Sequence, residues 1–125
     1  MNNAELLKSS RDLLLKLHKT LLDHERTIYE GINGPLNSGE FLNLLLEDAD
    51  FVWLRKFSTL IVEIDEMFDL KDGYADEIVD SLVEKVRDLV SMKDENEEFR
   101  AKYQAALQQD LDAAAHQGSL KTLLA

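Results

Sequence analysis

The stretch Asp48-Ala-Asp-Phe-Val-Trp-Leu-Arg-Lys-Phe-Ser-Thr-Leu-Ile-Val-Glu-Ile-Asp-Glu-Met-Phe68 decides the fold. Wound as a helix, it spreads Phe51, Val52, Trp53, Leu54, Phe57, Leu60, Ile61, Val62, Ile64, Met67 and Phe68 over well over half of its circumference. A helix with so broad an apolar girth packs against neighbours on more than one side, so it is expected near the centre of a bundle. If it simply continued the leucine run before it, Asp50 would stand about 60° from Trp53, within the sector held by Phe57, Ile61 and Phe68. Burying an unpaired carboxylate there is costly, and a break with Asp48 as N-cap avoids the cost. The expectation is a helix over 49–69, opened by Asp48.

The flanking sequence supplies its partners. Upstream, Asn37 followed three residues later by Glu40 fits a capping box opening a helix through Phe41, Leu42, Leu44, Leu45 and Leu46. Before it, residues 31–39 hold three glycines and the only proline, a connecting loop without a phosphate-cradling glycine motif. The first segment, with Asn3 as N-cap and Gly31 as its end, carries Leu6, Leu7, Leu13, Leu14, Leu17, Leu21 and Ile28 at helical spacing. Lys8, Asp12, Lys16, Lys19, Asp23, Arg26 and Glu30 gather on the opposite face. Downstream, Lys71-Asp72-Gly73 is a turn, and Ala75, Ile78, Val79, Leu82, Val86, Leu89 and Val90 mark another helix. Asp94 with Glu97 opens the next one, bearing Phe99, Tyr103, Ala106 and Leu107. Asp110 either lies within that helix or caps a new one; periodicity allows both. The fold class is all-α, an irregular bundle of five or six helices in a single domain.

Composition narrows the chemistry. The chain has 125 residues, 45% apolar and 31% charged, enough to bury one core. The absence of cysteine excludes disulfides, thiol nucleophiles and thiolate metal centres. The net charge of −11 falls entirely within residues 31–125, because the first thirty are neutral. Phosphate-backbone binding needs clustered cations, so nucleic acid is not an expected partner. No apolar run approaches about 18 residues, and the start has neither the charge nor the hydrophobicity of a signal peptide. The expectations are no membrane association, a cytoplasmic location, and a homo-oligomer or another protein as partner.

Leu44-Leu-Leu-Glu-Asp-Ala-Asp-Phe-Val-Trp-Leu-Arg55, Ser58-Thr-Leu-Ile-Val-Glu-Ile-Asp65 and Tyr103-Gln-Ala-Ala-Leu-Gln-Gln-Asp110 resemble a group of small all-helical bacterial proteins of unknown function. In that group a proline tends to follow the positions matching Asp48 and Asp110, where this chain has Ala49 and Leu111. The resemblance implies that both aspartates are N-caps, and it implies no activity.

Catalytic constellations were sought one by one. A di-iron bundle needs Glu-x-x-His pairs, but Leu15, Leu21 and Ala113 precede the three histidines by three residues. Asp112 and His116 share a face four residues apart, which is only two ligands. Glu63-x-x-Glu66 and Glu77-x-x-Asp80 resemble the magnesium-binding carboxylates of all-α nucleoside triphosphate pyrophosphatases of the MazG type. Val62 stands where that family's double Glu begins, and Glu77 and Asp80 fall opposite Val79, Leu82 and Val86, toward solvent. Ser38-Gly39 is not part of a nucleophile elbow. Trp53 reads as core, and Arg55 as a surface residue near Thr59. His24, on the stripe of Leu17, Leu21 and Ile28, pairs with Asp110 if Asp110 lies inside a helix and loses that pair if Asp110 is a cap. No cofactor, catalytic residue or metal ligand is assigned. The functional expectation is a non-catalytic helical protein acting by self-association or protein contact, with an exposed apolar patch including Phe51 or Val62 as its mark; the alternative that the second resemblance implies is a magnesium-dependent nucleoside triphosphate pyrophosphatase using Glu63, Glu66, Glu77 and Asp80.

Overall fold

The structure, a computed structural model, describes residues 1–93 and 96–125. Its helices are α1 (Asn3–Asn33), α2 (Ser38–Glu47), α3 (Ala49–Val52), α4 (Arg55–Phe68), α5 (Asp76–Val90), α6 (Glu97–Gln109) and α7 (Leu111–Leu124), with no strand among the described residues. The all-α expectation is met, with seven helices among the described residues rather than five or six. The extra ones come from a break inside 49–69 and from a restart after Asp110.

The break has a local cause. After one turn of α3 the chain tightens, with Leu54 N–H bonded to Phe51 O at 3.1 Å and Phe57 N–H to Leu54 O at 3.1 Å. The Trp53 indole donates to Asp50 O at 3.0 Å across the same turn. These three-residue bonds let Phe51, Trp53, Leu54 and Phe57 all turn inward, which one face of a regular helix does not allow. Asp48 opens α3 as expected, its carboxylate accepting from Asp50 N at 2.8 Å. Arg55 donates to Leu46 O, satisfying a carbonyl at the end of α2 that has no partner within its own helix.

The other ends are set by their caps. Asn2, not Asn3, caps α1 by accepting from Glu5 N at 2.8 Å. The helix runs past Gly31 to Gly34, whose φ of +87° is a left-handed conformation that favours glycine. The Asn37–Glu40 capping box is present. The Asp94 start of the next helix lies outside the described residues; Asn96 caps α6, accepting from Phe99 N at 2.9 Å.

The helix with neighbours on most sides is α1 rather than the Trp53 segment: it packs on α7, α4, α5 and α3. Leu7, Leu14, Leu17 and Leu21 are wholly buried along one stripe. Beside them Trp53, Phe57, Phe99 and Tyr103 form an aromatic cluster with ring centroids 5.2 to 6.2 Å apart. Gln117 completes this region: Tyr103 donates its hydroxyl hydrogen to Oε1, and Nε2 donates to Val90 O, so one amide joins α5, α6 and α7. Burial holds the Tyr103 hydroxyl well above its ordinary pKa.

Candidate functional site

The leucine stripe of α1 does not stop at Leu21. Ile28 and Ile32 continue it on the same line, since seven and eleven residues bring a helix back to nearly the same face. Yet they are 42% and 79% exposed. The reason lies in Asp110. It caps α7 by accepting from Ala113 N at 3.0 Å, and its second oxygen lies 3.6 Å from His24 Nδ1. Thus α7 begins level with His24 and runs back along the first half of α1. Asp110 is a cap and keeps its histidine as well, so the expectation that capping would cost the pair is corrected: a carboxylate has two oxygens, and each serves one partner.

Beyond that level, α1 and α6 enclose a trough of about 450 Å³, lined by Glu25, Ile28, Ile32, Asp50, Lys102 and Ala105 among others. Lys102 Nζ reaches Asp50 Oδ1 at 2.6 Å, and this bond, partly opposed by desolvation, raises the pKa of the ammonium. Glu25 has no hydrogen-bond or ion-pair partner among the described residues, and burial pushes its carboxyl upward against the opposing pull of Lys102 and His24. His24 also lines a smaller pocket of about 240 Å³ with Thr20, Asp23, Thr27, Asp110 and Asp112. The third side of this part of α1 is closed by the loop before α2, by Phe41 of α2 and by Phe51 of α3. Arg26 stacks over Phe41 at 4.5 Å, Tyr29 meets Phe51 at 5.9 Å, and Glu30 accepts from Leu36 N at 2.7 Å. α2 itself contains no buried residue, and Leu42 and Leu46, one turn apart, are more than half exposed.

Two of the four carboxylates with a metal-like spacing have other engagements. Glu63 accepts from Lys85 Nζ at 2.9 Å, and Asp80 accepts from Asn3 Nδ2 at 2.7 Å. Glu66 and Glu77 are exposed. Among the described residues no group of three or more His, Asp or Glu side chains is placed to hold a metal ion. His18 lies against Phe57 with ring centroids 6.3 Å apart, and burial lowers its pKa. Of the two residues named for an exposed patch, Phe51 is buried and Val62 is 52% exposed.

Sequence reasoning missed Glu25, Asp50 and Lys102 because they come from three helices whose order of packing no spacing reveals. It also missed a groove of about 560 Å³ between α4 and α5, where Arg55, Lys56, Lys85 and Lys93 stand with Glu63 and Asp88. No protein-family model, no curated protein and no solved structure matches this chain. No described helix is long and apolar enough to cross a membrane.

Proposed function

We propose that this chain is a non-catalytic helical protein that works through contact with protein, and that the trough beside the end of α1 is where such a contact is made. The observation that carries this reading is the continuation of a buried leucine stripe into Ile28 and Ile32, where no described helix covers it. Scattered exposed apolar residues are ordinary, but a core-type stripe left open at one end is the surface an added amphipathic helix would cover. The charged rim of Glu25, Asp50 and Lys102 would fix the register of that helix, as polar groups around an apolar strip do. Such a contact needs no nucleophile or metal.

The test is association of the full chain, measured by sedimentation and by pull-down from its native extract, before and after Ile28→Glu and Ile32→Glu. Retained folding with at least about tenfold weaker association supports the reading. Unchanged association in both variants, or none detected in either assay for the unaltered chain, overturns it.

A further inference from the structure

The charges of α4 run against their own helix. Its first turn holds Arg55 and Lys56 and no acid, while its last turn holds no base and is followed by Asp69. A helix dipole favours the reverse arrangement at both ends. These charges therefore serve something other than α4 itself.

Their placement is regular. Arg55, Thr59, Val62, Glu66 and Asp69 follow one another at four- and three-residue steps, forming a single seam along α4, and all five are exposed. The carboxylates of Glu66 and Asp69 have no hydrogen-bond or ion-pair partner among the described residues. Val62 is the seam's midpoint, with Arg55 seven residues before it and Asp69 seven after, each about 10 Å away along the axis. Flanking charges repeat the pattern. Lys56, Lys85 and Lys93 stand with Arg55 in the groove at that end, four cations to the two acids Glu63 and Asp88, on a chain of net −11. Asp72, Asp76 and Glu77 stand exposed beyond the Asp69 end.

We infer that α4 is a homodimer contact, in which the same seam of a second copy lies antiparallel across a two-fold axis at Val62. The seam is complementary to itself when reversed: Arg55 faces Asp69 of the second copy, Thr59 comes within a residue of its Glu66, and the two Val62 side chains meet at the axis. A contact in which one patch pairs with its own copy is what a closed two-fold dimer requires. Other basic partners would satisfy Glu66 and Asp69 but set like charge against Arg55, and acidic partners would do the opposite. This inference names a different surface from the trough and stands without it.

The chain has no cysteine, so Val62→Cys introduces a single thiol. A two-fold contact at that position predicts a disulfide-linked dimer under mild oxidation, formed at least about tenfold faster than for the control Ser119→Cys, which is also exposed. Sedimentation of the unaltered chain at about 100 μM should show a dimer that weakens with salt, and Val62→Glu and Asp69→Arg should each weaken it about tenfold or more. Arg55 also holds the end of α2, so its charge reversal is not used. Cross-linking of Val62→Cys no faster than the control overturns the proposal, as does a dimer indifferent to Val62→Glu. The second result would leave self-association intact at another surface. A monomer at every concentration and salt level overturns self-association as a whole, while the trough would still be judged by its own variants.

Discussion

The two halves of α1 carry one stripe and meet two fates. From Leu7 to Leu21 the stripe is fully buried under α4, α5 and α7; from Ile28 to Ile32 the same line, with the same kind of residue, stands open above a trough. Nothing in the composition of the two halves separates them. What separates them is the place where α7 starts, fixed by the Asp110 cap beside His24. A hydrophobic pattern tells which face of a helix seeks cover, and only the neighbouring helix ends tell how far the cover reaches.

The most direct attempt to break this comparison is truncation on both sides of the boundary. Leu17→Ala removes methyl groups from a closed core and should lower unfolding free energy by about 2–5 kcal/mol, whereas Ile32→Ala should stay within about 0.5 kcal/mol. Urea unfolding followed by the single tryptophan, which sits in the aromatic cluster, measures both; similar losses would mean that Ile32 is as covered as Leu17. Next in size is Gln117→Leu, which strands the Tyr103 hydroxyl and the Val90 carbonyl and should cost about 1–3 kcal/mol. Adding Tyr103→Phe should return part of that loss, since one of the two stranded groups is then gone.

The boundary itself is probed by Asp110→Ala, expected to cost about 1 kcal/mol through loss of the α7 cap. Asp110→Asn keeps an accepting oxygen and should cost less. The smallest effect is in pH dependence, and its sign differs between the halves. Burial lowers the pKa of His18, so its contribution is complete above the unfolded value of about 6.5 and is lost as pH falls toward and through the folded value. Glu25 is shifted upward, so its contribution is present below the ordinary carboxyl range and is lost as pH rises through the folded value. Replacing His18 by Phe, which keeps a ring against Phe57, should flatten the fall in stability as pH drops below about 6.5 while leaving the Glu25 dependence in place.

Much of this architecture was legible because helices announce themselves locally. The capping box at Asn37, the Asp48 cap and the positions of Val79, Leu82 and Val86 all follow from neighbours within four residues. The split at Trp53 was not legible, because the tight turn there is stabilised by where Phe51 and Leu54 end up in the core, a tertiary effect that overrides a perfectly good helical pattern. Helical spacing points to His24 and Asp110 as a pair, but it presents their relation as a choice between core and cap that the two carboxylate oxygens make unnecessary. The trough and the basic groove were invisible for a different reason. Each is assembled from helices distant in sequence, and charge counting over the whole chain hides a local excess of cations.

The packing of α1 on α7 bears on the order of events in folding. The helix that occupies the middle of the bundle finds the neighbour it packs on most extensively roughly a hundred residues later, and Arg87 of α5 fastens the far end of that neighbour by bonding Leu124 O at 2.9 Å. Closing so long a loop is entropically demanding, and contacts of this range form late. During synthesis the leucine stripe of α1 is therefore complete long before the α7 part of its cover exists, and for that interval the side awaiting α7 presents a sticky surface to whatever is nearby. The first helix to be made is the one whose protection is completed last.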